Sequence, residues 1–95
     1  MTKISGLISI ARKGGFVIIG QDNLRGYRKK LFLVLVDKSA GNSLMREAKF
    51  LSESKNIPLL EIDNLSETVG IENCKIVAVK NKSLSDSIIK TLKGE

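Results

Sequence analysis

Apolar positions along the chain alternate between two periods. Ile4, Leu7, Ile8 and Ala11 recur at the spacing of one helix face, with Thr2 placed to cap that helix. Gly14 and Gly15 stop it. Phe16, Val17, Ile18 and Ile19 form a short run rich in β-branched residues, which predicts a strand, and Gly20 closes it. Residues 21 to about 27 read as a short helix with Gly26 inside it. Residues 31–36 are apolar without alternation, the pattern of a central strand covered on both faces. Asn42 or Ser43 is positioned to cap a helix that buries Leu44, Ala48 and Leu51 and ends at Lys55 and Asn56, ahead of Pro58. Residues 59–62 predict a strand. Asn64 or Ser66 opens a helical turn that runs to Val69 and stops at Gly70. Residues 76–79 are the last strand. Ser83 and Asp86 form a variant capping box, and Leu84, Ile88, Ile89 and Leu92 follow at helical spacing.

Strand and helix therefore alternate in the order α-β-α-β-α-β-α-β-α. That order calls for a sheet with helices on both faces. No repeat, low-complexity stretch or linker interrupts it, so residues 1–95 are expected to form one domain.

Charge adds a direction to this picture. Of the 16 basic and 10 acidic residues, ten bases and three acids lie in residues 1–50, so that half carries +7 and the other −1, for a net +6. Residues 51–95 hold six lysines and seven acids. A basic half beside a near-neutral half points to one surface that faces a polyanion. The N-terminus has no continuous apolar stretch of the kind a signal peptide needs, and residues 31–36 are too few to span a bilayer. The expected location is the cytoplasm, with no membrane partner.

Candidate chemistry is limited by what is missing. There is no histidine, which excludes Ser-His-Asp and Cys-His catalysis and histidine zinc motifs. The single cysteine, Cys74, excludes a disulfide framework and reads as a small packing residue. Asp22, Asp37, Glu61, Asp63 and Glu72 are scattered, mostly at element ends where acids are solvated, and no spacing forces two of them together. Gly14, Gly15 and Gly20 lack the Gly-Lys-Ser/Thr ending of a phosphate loop. No catalytic residue, metal site or cofactor is expected.

The most informative stretch is Gly20-Gln21-Asp22-Asn23-Leu24-Arg25, which follows a strand and opens a helix. A helix opening offers free N–H groups and the positive dipole end to phosphate. Gln21 and Asn23 can read base edges or sugar hydroxyls, and Arg25, Arg28, Lys29 and Lys30 can meet phosphates. Asp22 has a plainer reading as the helix cap. Of the four aromatics Phe16, Tyr27, Phe32 and Phe50, three fall on buried-looking positions. Base stacking on an aromatic platform is therefore not expected, and any nucleic acid bound should be shaped and mostly paired.

The chain resembles the kink-turn-binding ribosomal protein family L-seven-Ae/L-thirty-e, and within it the small bacterial YlxQ-type members. The resemblance rests on Leu7-Ile-Ser-Ile-Ala-Arg-Lys-Gly-Gly15 as the opening helix and on Phe16-Val-Ile-Ile-Gly20 as the first strand with its closing glycine. It continues with Leu33-Val-Leu-Val-Asp37, Asn56-Ile-Pro58, Leu65-Ser-Glu-Thr-Val-Gly-Ile71 and Lys75-Ile-Val-Ala-Val79, all in family order. It implies a three-layer α-β-α sandwich with a four-stranded mixed sheet that binds kinked RNA. In the family's Gly-Thr-Asn-Glu-x-x-Lys motif Gly20 keeps the glycine. Gln21, Asp22, Asn23 and Gly26 stand where Thr, Asn, Glu and Lys are usual. The family's second contact is an apolar loop before the last strand, which Val69, Gly70, Ile71 and Glu72 match.

The combined expectation is a non-catalytic, monomeric RNA-binding protein of α/β class. Its RNA-binding residues are Gly20, Gln21, Asp22, Asn23, Arg25, Arg28, Lys30, Val69, Gly70, Ile71 and Glu72. Its partners are structured RNA, kink-turn-like or ribosomal, with the ribosome or translation factors beside it. Two other readings remain open. One is a translation-associated protein-interaction module that has lost the RNA site. The other is an enzyme on the same fold, against which the missing histidine and acid pair argue.

Overall fold

The computed structural model describes residues 3–93, with the backbone alone for residues 3–5. Thr2, expected as a helix cap, lies outside the described residues, as does the side chain of Ile4. Nine elements follow in the predicted order. They are α1 (Lys3–Lys13), β1 (Val17–Ile19), α2 (Gln21–Arg25), β2 (Leu33–Asp37), α3 (Asn42–Lys55), β3 (Leu59–Ile62), α4 (Leu65–Val69), β4 (Ile76–Val79) and α5 (Lys82–Leu92).

The four strands form one sheet in the order β1-β4-β2-β3. The β1–β4 and β4–β2 pairs are antiparallel, and β2–β3 is parallel with Val34 opposite Leu59. The sheet is mixed because the β2-α3-β3 unit is a crossover, which brings β3 back parallel to β2. All five residues of β2 and all four of β4 are buried. This is why neither strand alternates: a central strand under helices on both faces needs apolar side chains at every position.

The side chains nonetheless point alternately to the two faces and build two cores. Leu33, Leu35, Val77 and Val79 meet Ile8 of α1, Leu65 and Val69 of α4, and Ile88 of α5. Val34, Val36, Ile76 and Ala78 meet Leu24 of α2 and Ala48 of α3. The fold is thus an α/β sandwich, with α1, α4 and α5 on one side of the sheet and α2 and α3 on the other.

Several helix starts differ from expectation. The N-cap of α5 is Asn81, whose Oδ1 accepts from the Leu84 N–H at 3.0 Å; Ser83 sits inside the helix. Gly41 caps α3, with Asn42 as its first helical residue. Gly20 caps α2, and Asp22 lies in the first turn without a capping bond. Each shift is of one or two residues, within which several polar residues compete for one cap.

Asp37 departs further. It is 4% exposed rather than solvated. Its Oδ1 accepts from the Ser39 N–H at 2.8 Å and from the Ser39 hydroxyl at 2.7 Å. Its Oδ2 accepts from the Leu65 N–H at 2.9 Å. A carboxylate at the end of β2 therefore caps α4 from 28 residues away. Asn64, the nearer candidate, is in the left-handed region at φ 55 and makes no side-chain cap. Ser39 above all, then Leu65 and Lys75, holds the Asp37 carboxyl below the usual carboxylate range despite its burial.

The aromatic expectation is also corrected. None of the four rings is buried: Tyr27 and Phe32 are half-buried, Phe16 is 39% exposed and Phe50 is 72% exposed. Phe50 falls about 100° round the helix from Leu51 and about 200° from Ala48, away from the apolar stripe of α3.

Candidate nucleic-acid interface

Strand direction decides which loops can meet. The backbone N–H of Gly20 donates to the Ile76 carbonyl at 3.1 Å, so the end of β1 lies beside the start of β4. Val36 pairs with Ile76 and Asp37 with Ile62. One end of the sheet therefore collects the start of α2, the loop after β2, the start of α4 and the approach to β4. Gly20 to Asn23 begins at this end, while Val69 to Glu72 forms the end of α4 and the turn that leads back to β4, on the opposite face of the sheet from α2.

Gly20 stands at φ 91 and ψ 147, a conformation close to glycine's own region. It turns the chain from β1 directly into α2. That helix is only five residues long, so few peptide dipoles align and its side chains matter more than its macrodipole. Those side chains are mostly engaged. Asn23 Nδ2 donates to the Ile19 carbonyl at 2.7 Å. Arg25 Nε donates to Glu47 Oε1 at 2.7 Å and Nη2 donates to Oε2 at 3.3 Å, a two-point grip. Gln21 Nε2 donates to Glu47 as well. Asp22 approaches Arg25 at 3.8 Å, and its side chain is almost fully exposed. The Arg25 hydrogen bonds hold the Glu47 carboxyl below its ordinary range, and Glu47 in turn raises the Arg25 pKa.

The second segment is pinned from below. Arg12 Nη1 donates to the Val69 carbonyl at 3.1 Å. Gly70 ends α4 in the left-handed region at φ 81, where its N–H reaches the Ser66 carbonyl at 2.8 Å. Ile71 is half-buried against the core, while Gly70 and Glu72 are exposed. Cys74 is buried, which pushes its thiol pKa up and leaves it unreactive.

The basic residues are divided between two ends. Lys30 precedes β2, at the opposite end of the sheet, where Phe32 N–H bonds the Val79 carbonyl and Val34 N–H bonds the Pro58 carbonyl. It shares a hollow there with Arg28, Lys29, Lys55 and Phe32. Arg28 also lines a groove between α2 and α3 of about 500 Å³, together with Arg25, Tyr27, Glu47, Phe50 and Lys55. Lys30 is therefore not brought to Gly20, and Arg28 links the two regions. Sequence reasoning missed Glu47 and Phe50. The first lies 22 residues from its partner and left no trace. The second was signalled by its position off the α3 stripe.

No family model matches the chain, and no curated protein matches it in sequence. Solved structures do match. A protein of unknown function from Bacillus halodurans C superimposes with TM-score 0.83 at 18% identity, over 98% of this chain and 99% of that one. A 15.5kD RNA binding protein from Giardia lamblia superimposes with TM-score 0.69 at 15% identity, over 95% of this chain and 82% of that one. Among the described residues no helix is long and apolar enough to cross a membrane. The chain thus has the mixed-sheet α/β fold of these two proteins across nearly its whole length.

Proposed function

We propose that this chain is a non-catalytic RNA-binding protein. Its contact edge is the end of the sheet carrying Gly20, Gln21, Asp22 and Asn23 on one side and Val69, Gly70, Ile71 and Glu72 on the other. The observation that carries the reading is that edge: the Gly20–Ile76 bond draws a polar helix start and the approach to β4 to the same end. The net charge of +6 and the RNA-binding neighbour in Giardia agree with it. The resemblance to the kink-turn-binding family makes the target a kinked, largely paired RNA of the ribosome or the translation apparatus. α2 would enter its groove, with Ile71 on an extruded base.

One observation favours a second reading. Glu47 occupies Arg25 and Gln21, so the α2 edge offers less free positive charge than its sequence suggests. A translation-associated protein-interaction module that has lost RNA binding would look like this. Binding to a kink-turn RNA and to a plain duplex, each at two salt concentrations, separates the two. The RNA reading expects preference for the kink, with affinity falling as salt rises. Asp22→Asn, which removes a charge that repels phosphate, should strengthen it. Equal, weak binding to both RNAs that Asp22→Asn leaves unchanged overturns the kink-recognising edge and leaves the protein-interaction reading.

A further inference from the structure

The uncompensated positive charge lies away from that edge. Arg28, Lys29 and Lys30 are consecutive and exposed, and among the described residues none of them forms an ion pair or a side-chain hydrogen bond. Arg25, by contrast, has two acids. Lys55 joins the three, its ammonium donating to the Lys29 carbonyl at 3.2 Å with two N–H bonds left over. The hollow these four share, about 580 Å³, is lined by no acid. Three adjacent like charges repel one another, and among the described residues no acid pairs with any of them.

The hollow is continuous with the α2–α3 groove, since Arg28 and Lys55 line both. Phe50 stands in that groove at 72% exposure. An isolated exposed phenylalanine is unremarkable on a surface. A large ring beside a run of unpaired cations is the combination that holds single strands: cations track the phosphates, and the ring takes a base face. Tyr27 and Phe32 are less available, because Lys80 and Lys30 lie over their rings at 5.6 and 5.8 Å.

We propose that this trough binds a single strand of RNA, its phosphates on Arg28, Lys29, Lys30 and Lys55 and one base on Phe50. The strand would be a single-stranded extension of the RNA held at the sheet end, so the proposal builds on the RNA-binding reading while using different residues.

The test is fluorescence anisotropy with a labelled uridine oligomer of about twelve nucleotides, within the usual site size of such grooves. Four phosphate contacts give a slope near −2.8, so affinity should fall about fiftyfold between about 50 and 200 mM salt. The double variant Lys29→Gln, Lys30→Gln should halve the slope and lose only about sevenfold over that range. Phe50→Ala, at an exposed position that leaves the cores intact, should weaken binding at least about fivefold at either salt. The proposal is overturned if the oligomer does not bind, if Phe50→Ala binds like the parent, or if polyglutamate displaces the oligomer as well as unlabelled RNA does. A kink-turn RNA without single-stranded ends, measured in parallel, keeps the two readings apart. Oligomer binding without kink binding supports the trough and sinks the edge, and the reverse result sinks the trough.

Discussion

Replacing Asp37 by alanine removes the carboxylate that ties the end of β2 to the start of α4. Three donors lose their acceptor: the Ser39 N–H, the Ser39 hydroxyl and the Leu65 N–H. Ser39 is exposed and turns to water, so its loss costs little. Leu65 is fully buried. Its N–H, the one α4 donor that Asp37 caps, would be left unsatisfied, at about 1–3 kcal/mol. That is a sizeable part of the roughly 5–15 kcal/mol that holds a small domain together. Asp37→Asn can keep its carbonyl oxygen on Leu65 and leave its amide to face Ser39. It exchanges a charged acceptor for a neutral one, at about 1–2 kcal/mol. The pH dependence follows from the depressed carboxyl. A lowered folded pKa means the unfolded chain binds the proton more readily. The contribution is therefore complete above the unfolded value of about 3.9 and is lost as pH falls through the folded value. Urea unfolding followed by circular dichroism, which the absence of tryptophan recommends, should show parent and Asn variant well separated at about pH 7 and converging below about pH 4. A gap that persists unchanged into acid, or an Ala variant within about 0.5 kcal/mol of the parent, the range of an ordinary surface substitution, would refute the capping role.

Two further outcomes bear on the candidate interface. Glu47→Gln should release Arg25 and remove one negative charge from the α2–α3 groove. RNA binding should tighten and its salt dependence steepen by up to about one phosphate contact, read by anisotropy at two salt concentrations; weaker binding would mean that Arg25 must be held in place by Glu47 to act. Gly20→Ala meets no neighbouring atom, since nothing lies within 4 Å of the added carbon. Its cost is therefore backbone strain alone, about 1–3 kcal/mol at φ 91, and a thermal midpoint equal to the parent's would show that α2 can leave β1 by another route.

Much of the fold was legible because it is written in short-range pattern. β3 and β4 begin and end where the apolar runs do. β2 was read as central from its lack of alternation, and all five of its residues are buried. Gly15, Gly20 and Gly70 were read as stops, and each has a positive φ. The failures share a cause. The α5 cap read at Ser83 belongs to Asn81, because neighbouring polar residues compete for one cap with little to separate them. Asp37 was read as solvated because acids at strand ends usually are, and its partner Leu65 is distant in the chain. Three of the four aromatics fall on positions that look buried in the sequence, yet none of the four is buried in the fold, and Phe50 lies off the apolar stripe of α3.

The sequence by itself determined the nine elements, their order and the central strand, because helix and strand periods and glycine stops act over a few neighbouring residues. It also determined that the first half of the chain is basic and the second near-neutral. Only the tertiary structure decided which charges remain free. The order β1-β4-β2-β3 lays the first and last strands side by side, joining the start of α2 to the approach to β4 and carrying Lys30 to the far end. α3 packs on the same face as α2 and brings Glu47 onto Arg25, while no acid reaches Arg28, Lys29 or Lys30 among the described residues. Hydrogen bonds and ion pairs act over a few ångströms of space, and residues 22 or 28 apart in the chain come within that distance only once the sheet has set their places.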